Sequence, residues 1–275
     1  MRLLDLLESS TGYLAKNGVE SPRLTTELLL AHVLEKTRMQ LYLEYETIIS
    51  DLQLDKLRPL VKKRAEGVPL EHLTGVKEFD GHKFKITPDV LIPRPETELL
   101  LEAVLPLVDA AASDLPIVDV GTGSGVLAVS LARRFPKIPV IAIDLSEKAL
   151  AVARENGAGL ANLTFRHGNL LDGWTGRAQL IVANLPYIPS GQINRLSREV
   201  RKEPMMTLDG GVDGLDLIRR LISDAATRTR WLALEFGDGQ APEIADIFKN
   251  HGCEITQVIP DLHKIDRIMI GKING

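Results

Sequence analysis

Pro116-Ile117-Val118-Asp119-Val120-Gly121-Thr122-Gly123-Ser124-Gly125 is an apolar run that ends in three glycines at alternate positions, followed at once by Val126, Leu127, Val129, Ser130, Leu131 and Ala132. A buried strand that turns sharply into a helix needs glycine where the backbone turns and where a ligand lies against it. The stretch therefore reads as strand, tight loop and helix, with a nucleoside site at the loop. A dinucleotide fingerprint spaces its glycines G-x-G-x-x-G, whereas Val126 makes the spacing here G-x-G-x-G. Dinucleotide enzymes rest a pyrophosphate on the helix N-terminus. A sulfonium nucleoside has no phosphate and needs the loop only for close approach of its amino-acid portion. Gly121, Thr122, Gly123, Ser124 and Gly125 are the candidate contacts.

Outward from this loop, apolar strands recur at 140–144, 163–166, 180–183, 231–236, 254–259 and 267–271, after the first at 116–120, and helical stretches are expected between the first five. Near-continuous apolar strands joined by helices indicate an α/β fold with a mostly parallel sheet covered on both faces. Only Pro260-Asp261-Leu262-His263-Lys264 and their neighbours separate the last two strands. That is too short for a crossover helix, so these strands are expected to pair antiparallel at the sheet edge.

The second strand ends at Asp144, 23 residues after Gly121, where a carboxylate can accept hydrogen bonds from both hydroxyls of a ribose. Dinucleotides and sulfonium nucleosides both use such an acid, and an Asp capping the helix before Ser146 and Glu147 reads the same residues structurally. Beyond the third strand, Gly168-Asn169-Leu170 falls where an adenine ring would lie, with Asn169 placed to bond its exocyclic amine and Leu170 to pack on its face. The fourth strand stops at Asn184-Leu185-Pro186-Tyr187. These residues offer a side-chain carbonyl, backbone carbonyls and a stacking ring together, which suits a planar amide or amino group. Asn-x-Pro is also ordinary turn chemistry.

Residues 1–75 read as a small helical domain, with apolar positions at Leu3, Leu4, Leu6, Leu7 and Leu14, then Leu24, Leu28, Leu29, Ala31 and Val33, then a helix over 52–65 ending at Gly67. Its 10 Lys and Arg nearly balance its 11 Asp and Glu, so Lys62-Lys63-Arg64 is read as a solvated helix face. Residues 76–86 alternate around Asp80-Gly81, a two-residue hairpin signal, and 76–90 is the expected connector. From Ile92-Pro93-Arg94-Pro95-Glu96-Thr97-Glu98 the third segment, 91–275, begins. Pro95 suits the first turn of a helix, Glu96 and Glu98 suit its dipole, and Leu99, Leu100, Ala103, Val104 and Leu107 form its apolar face.

A net charge of −4 and a pI near 5.9 give the chain no global attraction to a polyanion, so direct nucleic-acid binding is not expected. Cys253 stands alone, which rules out an intramolecular disulfide and fits a reducing compartment. Met1 to Glu8 carries acids where a signal peptide would be apolar, and no apolar run approaches the roughly 18 residues of a spanning helix. A cytoplasmic monomer with no membrane contact is expected. His72, His167, His251 and His263 lack metal-ligand spacing, so no metal is expected. Ser124 lacks a nucleophile elbow, which argues against acyl transfer.

Ile92 to Glu98, Asp119 to Gly125, Asp144, Asn184 to Tyr187, Glu203-Pro204, Leu208-Asp209-Gly210-Gly211-Val212-Asp213-Gly214-Leu215 and Leu234-Glu235-Phe236-Gly237 together resemble the HemK/PrmC family over nearly the whole chain. The family consists of S-adenosylmethionine-dependent glutamine N5-methyltransferases that act on the Gly-Gly-Gln motif of class-1 peptide-chain release factors. The resemblance implies a Rossmann-like class I methyltransferase fold, with a seven-stranded sheet carrying an antiparallel edge hairpin, beside the N-terminal helical domain. It implies S-adenosylmethionine as cofactor, S-adenosylhomocysteine as product and a release factor as protein partner. On this basis Gly121 to Gly125, Asp144, Asn169, Leu170 and Asn184 bind the cofactor. Asn184, Leu185, Pro186 and Tyr187 bind the acceptor and carry the chemistry.

Three departures stand out. Leu185 replaces the first Pro of the usual Asn-Pro-Pro-Tyr, which brings the tetrapeptide close to that of rRNA adenine dimethyltransferases. Asn169 stands where relatives often have Asp, and the family's glycine near the last hairpin is absent from 261–267.

A carboxamide nitrogen is a poor nucleophile because its lone pair is delocalised. The Asn184 side-chain oxygen is expected to accept one amide hydrogen and the Leu185 backbone carbonyl the other, so that the lone pair points at the sulfonium methyl. Pro186 limits the backbone and Tyr187 packs on the amide plane. Competing readings are an N6-adenine methyltransferase on RNA or DNA, which would need a flipped base and basic strand contacts, a glutamine methyltransferase acting on a ribosomal protein, and a binding module without activity.

Overall fold

Thr37 and Ser50 each accept a hydrogen bond from the backbone N–H three residues on, and Gln40 and Gln53 reach back to them, so two capping boxes open helices in the N-terminal region. The computed structural model describes residues 1–111 and 114–273. It comprises two units, Met1–Val76 with Ser197–Lys202, and Lys77–Leu196 with Glu203–Gly275.

The first unit holds α1 (Leu3–Lys16), α2 (Pro22–Leu34), α3 (Arg38–Leu43), α4 (Asp51–Ala65) and α5 (Leu70–Thr74). Leu3, Leu7, Leu14, Leu29, Leu30, Leu41 and Leu57 are its core. The buried face of α2 is rotated from the one its leucines predict: Leu24 is exposed, while Thr26 and Glu27 are buried. Glu27 can be buried because Arg38 (2.5 Å), Arg23 (3.1 Å) and the Tyr42 hydroxyl (2.8 Å) all bond its carboxylate. The expected solvated face at 62–64 is also corrected. Lys62 and Lys63 are exposed, but Arg64 is buried and reaches Glu199 at 2.6 Å. Gly67 lies against Arg198, where a Cβ would come within 2.6 Å of that side chain.

The second unit opens with a hairpin, β1 (Val76–Phe79) and β2 (His82–Lys85). Its turn residues Asp80 and Gly81 both have positive φ, as a tight two-residue turn requires. Phe79 and Phe84 meet edge to face and are buried in the core of the second unit. Then follow α6 (Pro95–Val104), β3 (Ile117–Val120), α7 (Val126–Arg134), β4 (Val140–Asp144), α8 (Glu147–Asn156), β5 (Leu163–His167), β6 (Ala178–Asn184), α9 (Asp216–Ala225), β7 (Thr229–Glu235), α10 (Ala241–Asn250), β8 (Cys253–Pro260) and β9 (Asp266–Ile273).

Strand order is β5-β4-β3-β6-β7-β9-β8. The first five are parallel, and β9 runs antiparallel between β7 and β8. The terminal hairpin is thus at the edge, with the last strand turned inward. One face packs on Leu100, Leu101 and Val104 of α6 and on α7, the other on Ile218, Leu221 and Ile222 of α9 and Ile244 and Phe248 of α10. One connection differs from expectation: no helix joins β5 to β6. Gly168, Gly173 and Gly176 fall within those ten residues, and the chain crosses as turns that bury Leu170, Leu171 and Trp174.

Candidate active site

A cavity opens at the C-terminal ends of β3, β4 and β6, where a doubly wound sheet binds its ligands. Its lining includes Gly121, Asp144, Leu145, Ser146, Asn169, Leu170, Asn184, Leu185 and Pro186. Sequence positions far apart are therefore brought together. Thr122, Gly123, Ser124, Gly125 and Tyr187 are not in that lining.

Gly121 takes a left-handed backbone (φ +74°), and a Cβ there would lie 2.9 Å from the Leu185 side chain. Gly125 caps α7 with φ +84°, and a Cβ would press on Ala153 of α8 at 3.0 Å. The missing side chain lets α7 and α8 pack closely. Thr122 donates to Asp119 Oδ2 at 2.6 Å, and the Ala128 N–H donates to the same oxygen at 3.1 Å, tying the loop to α7. Burial pushes the Asp119 carboxyl up to about 7, and its Oδ1 has no protein partner among the described residues.

Asp144 closes β4. Its Oδ2 accepts from the Gly123 N–H and its Oδ1 from the Ser146 N–H, both at 2.8 Å. Desolvation raises its pKa, opposed by those N–H groups. The carboxylate thus braces the glycine loop and the start of α8 while lining the cavity. Ser146 itself caps α8 through the Ala149 N–H.

At the end of β6, Asn184 Nδ2 donates to Thr97 Oγ1 at 3.0 Å, and Thr97 Oγ1 donates to Glu235 Oε2 at 2.8 Å. Among the described residues no hydrogen bond reaches Asn184 Oδ1. The next carbonyls pack closely against the glycine-rich run. The Tyr187 carbonyl accepts from Gln240 Nε2 at 2.9 Å. A Cβ on Gly210 would lie 2.7 Å from the Pro186 oxygen, and one on Gly214 would lie 2.1 Å from the Tyr187 oxygen. Burial and the nearby Glu235 hold the Tyr187 hydroxyl above its ordinary range.

In the sequence Thr97 and Glu203 stand out only as members of motifs. In the structure Glu203 accepts from the Ile92 N–H at 2.9 Å and pairs with Arg94, so the Arg94-Pro95-Glu96-Thr97 run is pinned where Thr97 meets Asn184. The signal was the coexistence of Arg94 and Glu203 in one pattern. Asp89, Leu91, Met206, Thr207 and Leu217 also line the cavity, and nothing in their local sequence marks them.

The lining suits a cationic nucleoside. Two carboxylates, Asp89 and Asp144, border it, Leu145, Ala149 and Leu170 give apolar faces for a flat ring, and among the described residues its lining holds no Lys or Arg. Fold and cavity define a Rossmann-like, class I S-adenosylmethionine-dependent methyltransferase.

Residues 5–75 match the PrmC N-terminal domain and residues 117–203 match a methyltransferase domain. A release factor glutamine methyltransferase of Moorella thermoacetica is 40% identical over 98% of this chain and 98% of its own length. One of Geobacter sulfurreducens is 38% identical over 98% and 95%. The chain belongs to the release factor glutamine methyltransferase family. A solved methyltransferase from Pyrococcus furiosus shares the fold, with a TM-score of 0.55 and 17% identity over 72% of this chain and 92% of that one. Among the described residues no helix is long and apolar enough to cross a membrane, and no cluster of three His, Cys, Asp or Glu could hold a metal ion.

Proposed function

We propose that this chain methylates the side-chain amide nitrogen of the glutamine in the Gly-Gly-Gln motif of class-1 peptide-chain release factors. The observation that carries the reading is the orientation of Asn184. Its NH2 group is engaged by Thr97, which leaves Oδ1 without a hydrogen bond among the described residues, and Asn184 lines the same cavity as Gly121, Asp144 and Leu170. S-adenosylmethionine, when bound there, supplies an electrophilic methyl group on a sulfonium. Asn184 Oδ1 accepts one amide hydrogen and the Leu185 carbonyl the other. The two acceptors orient the nitrogen and stabilise the positive charge that develops on it, and a proton leaves afterwards.

On this reading Asp144 holds the ribose hydroxyls, Asn169 and Leu170 the adenine, and Tyr187 packs beside the acceptor amide. Residues 1–75 recognise the release factor, 76–90 connect, and 91–275 carry the transfer. A translation factor as acceptor places the work in the cytoplasm.

The test is labelling with isotopic S-adenosylmethionine. The purified chain should label a release factor on one glutamine, with the mass gain of one methylene, and Gln→Ala in the Gly-Gly-Gln motif should abolish the label. A site built to bond matched N–H groups can discriminate by roughly 10⁴–10⁵. Label on RNA adenine or on a ribosomal-protein glutamine, with none on the release factor, overturns the assignment.

A further inference from the structure

Glu235 ends β7 with 1% of its surface exposed, and the chemistry above leaves it without a task. It is the register partner of Asn184 across β6 and β7. Its Oε2 takes the Thr97 hydroxyl proton, and Thr97 Oγ1 takes a proton of Asn184 Nδ2. A hydroxyl has one proton to give, and an ionised carboxylate can only accept. While Glu235 is ionised, Thr97 must donate to it, and the lone pairs left on Oγ1 can meet only the NH2 end of the Asn184 amide. Oδ1 then has no choice but the cavity.

We infer that Thr97 and Glu235 are positioning residues for methyl transfer, a relay whose direction is set by the Glu235 carboxylate and which keeps Asn184 Oδ1 turned toward the acceptor nitrogen. The inference rests on the reading of Asn184 as that acceptor.

The neighbours of Glu235 are Thr97 and Glu96 on α6, Asn184 on β6, the Tyr187 hydroxyl just beyond it, and Arg267 on β9, which is bonded to Asp261 at 2.9 Å. Burial is the largest influence and, with Glu96, pushes the carboxyl up to about 7 against the pull of Thr97, Arg267 and Asn184. When the carboxyl is protonated, its O–H can donate to Thr97 Oγ1. The Thr97 proton is then free to turn to Asn184 Oδ1, and the amide reverses. A reversed Asn184 presents NH2 to the acceptor's NH2, two donors with no bond between them.

The experiment measures kcat against pH for the full chain with S-adenosylmethionine and release factor, in the parent and in Glu235→Gln, Thr97→Val, Thr97→Ser and Asn184→Ala. S-adenosylhomocysteine affinity reports whether each site is still assembled. The parent kcat should fall on the acid side with a midpoint at about 7. In Glu235→Gln that limb should vanish and the plateau should drop about tenfold, because a neutral amide permits both orientations. Thr97→Val should lower kcat up to about a hundredfold, the scale of a misplaced reacting group, with cofactor affinity within a few-fold of the parent. Thr97→Ser should restore rate and limb.

An acid limb of unchanged midpoint in Glu235→Gln, or parent kcat in Thr97→Val, overturns the relay. If Thr97→Val no longer binds S-adenosylhomocysteine, the pH profiles of Glu235→Gln and Thr97→Ser decide. Asn184→Ala at the parent rate removes the acceptor reading and the relay with it. A slow Asn184→Ala beside fast Thr97→Val and Glu235→Gln removes the relay alone.

Discussion

Replacing Asp144 by alanine separates the bracing of the glycine loop from the proposed holding of the ribose. Without ligand, Oδ1 and Oδ2 each accept one backbone N–H, from Ser146 and Gly123. Alanine leaves both donors unpaired beside a cavity open to water, which places the loss at the low end of the 1–3 kcal/mol range for each, about 2 kcal/mol in all. For a chain of this size that lowers the thermal midpoint by roughly 4–8 °C. Ligand binding should suffer separately. Losing a charged acceptor for the ribose hydroxyls costs about 1.5–3 kcal/mol, or roughly 10- to 150-fold in Kd. Calorimetric unfolding of the ligand-free protein reads the first effect, and titration with S-adenosylhomocysteine reads the second. Asp144→Asn should lie between, since its NH2 can accept from neither N–H group. A folded Asp144→Ala with lowered midpoint and parent Kd would show that the residue is a loop brace only, and the ribose assignment would be wrong.

Asn184→Ala should reduce single-turnover methylation about 10²- to 10³-fold while S-adenosylhomocysteine affinity stays within a few-fold, and a parent rate would remove it from the chemistry. Gly214→Ala forces a side chain onto φ +85° and within 2.1 Å of the Tyr187 carbonyl. It should lower kcat by displacing the end of the Asn184–Tyr187 segment, as steady-state kinetics would show. Glu235 has a folded pKa of about 7 against 4.5 unperturbed, so its contribution to stability is present below about 4.5 and is lost as pH rises through 7. Glu235→Gln should therefore be more stable than the parent near pH 8, by on the order of 3 kcal/mol. Denaturant midpoints should show that advantage disappearing near pH 4.5.

Strands β3, β4 and β6 were legible because each is a short, almost wholly apolar run, and only a sheet covered on both faces tolerates that pattern, whereas β5 and β8, at the two sheet edges, mix apolar with polar residues. The link between β5 and β6 was not legible. It satisfies the topology with turns instead of a helix, and its apolar residues Leu170, Leu171 and Trp174 carry no period. Helices α3 and α5 span six and five residues, too few for a periodic signal.

Gly121, Asp144, Asn169, Leu170, Asn184, Leu185 and Pro186 line one cavity, and their convergence was readable because each ends a strand or follows one, and strand ends converge. Glu235 was readable as the end of a strand at the same edge, but its link to Thr97 was not. Their meeting depends on the register of β6 against β7 and on where Glu203 pins the start of α6, and both are long-range facts. Ser197–Lys202, grouped with the helical unit, escaped for the same reason.

The replacement of proline by Leu185 acquires a physical meaning from these contacts. Proline restricts the backbone covalently through φ, whereas leucine must be held by packing. Leu185 is 4% exposed and rests over Gly121, where even a Cβ would intrude. On its other side Gly210 and Gly214 let the chain close on the Pro186 and Tyr187 carbonyls, and Gln240 occupies the latter. On the proposed reading the carbonyls are thereby sorted, with 186 and 187 lying against the glycine run and the Asn184 side chain and Leu185 backbone left to accept from an amide. Rigidity at residue 185 therefore depends on Gly121, which is also the glycine that lines the cavity. Enlarging Gly121 should disturb cofactor binding and acceptor orientation together, a coupling that a proline at 185 would weaken.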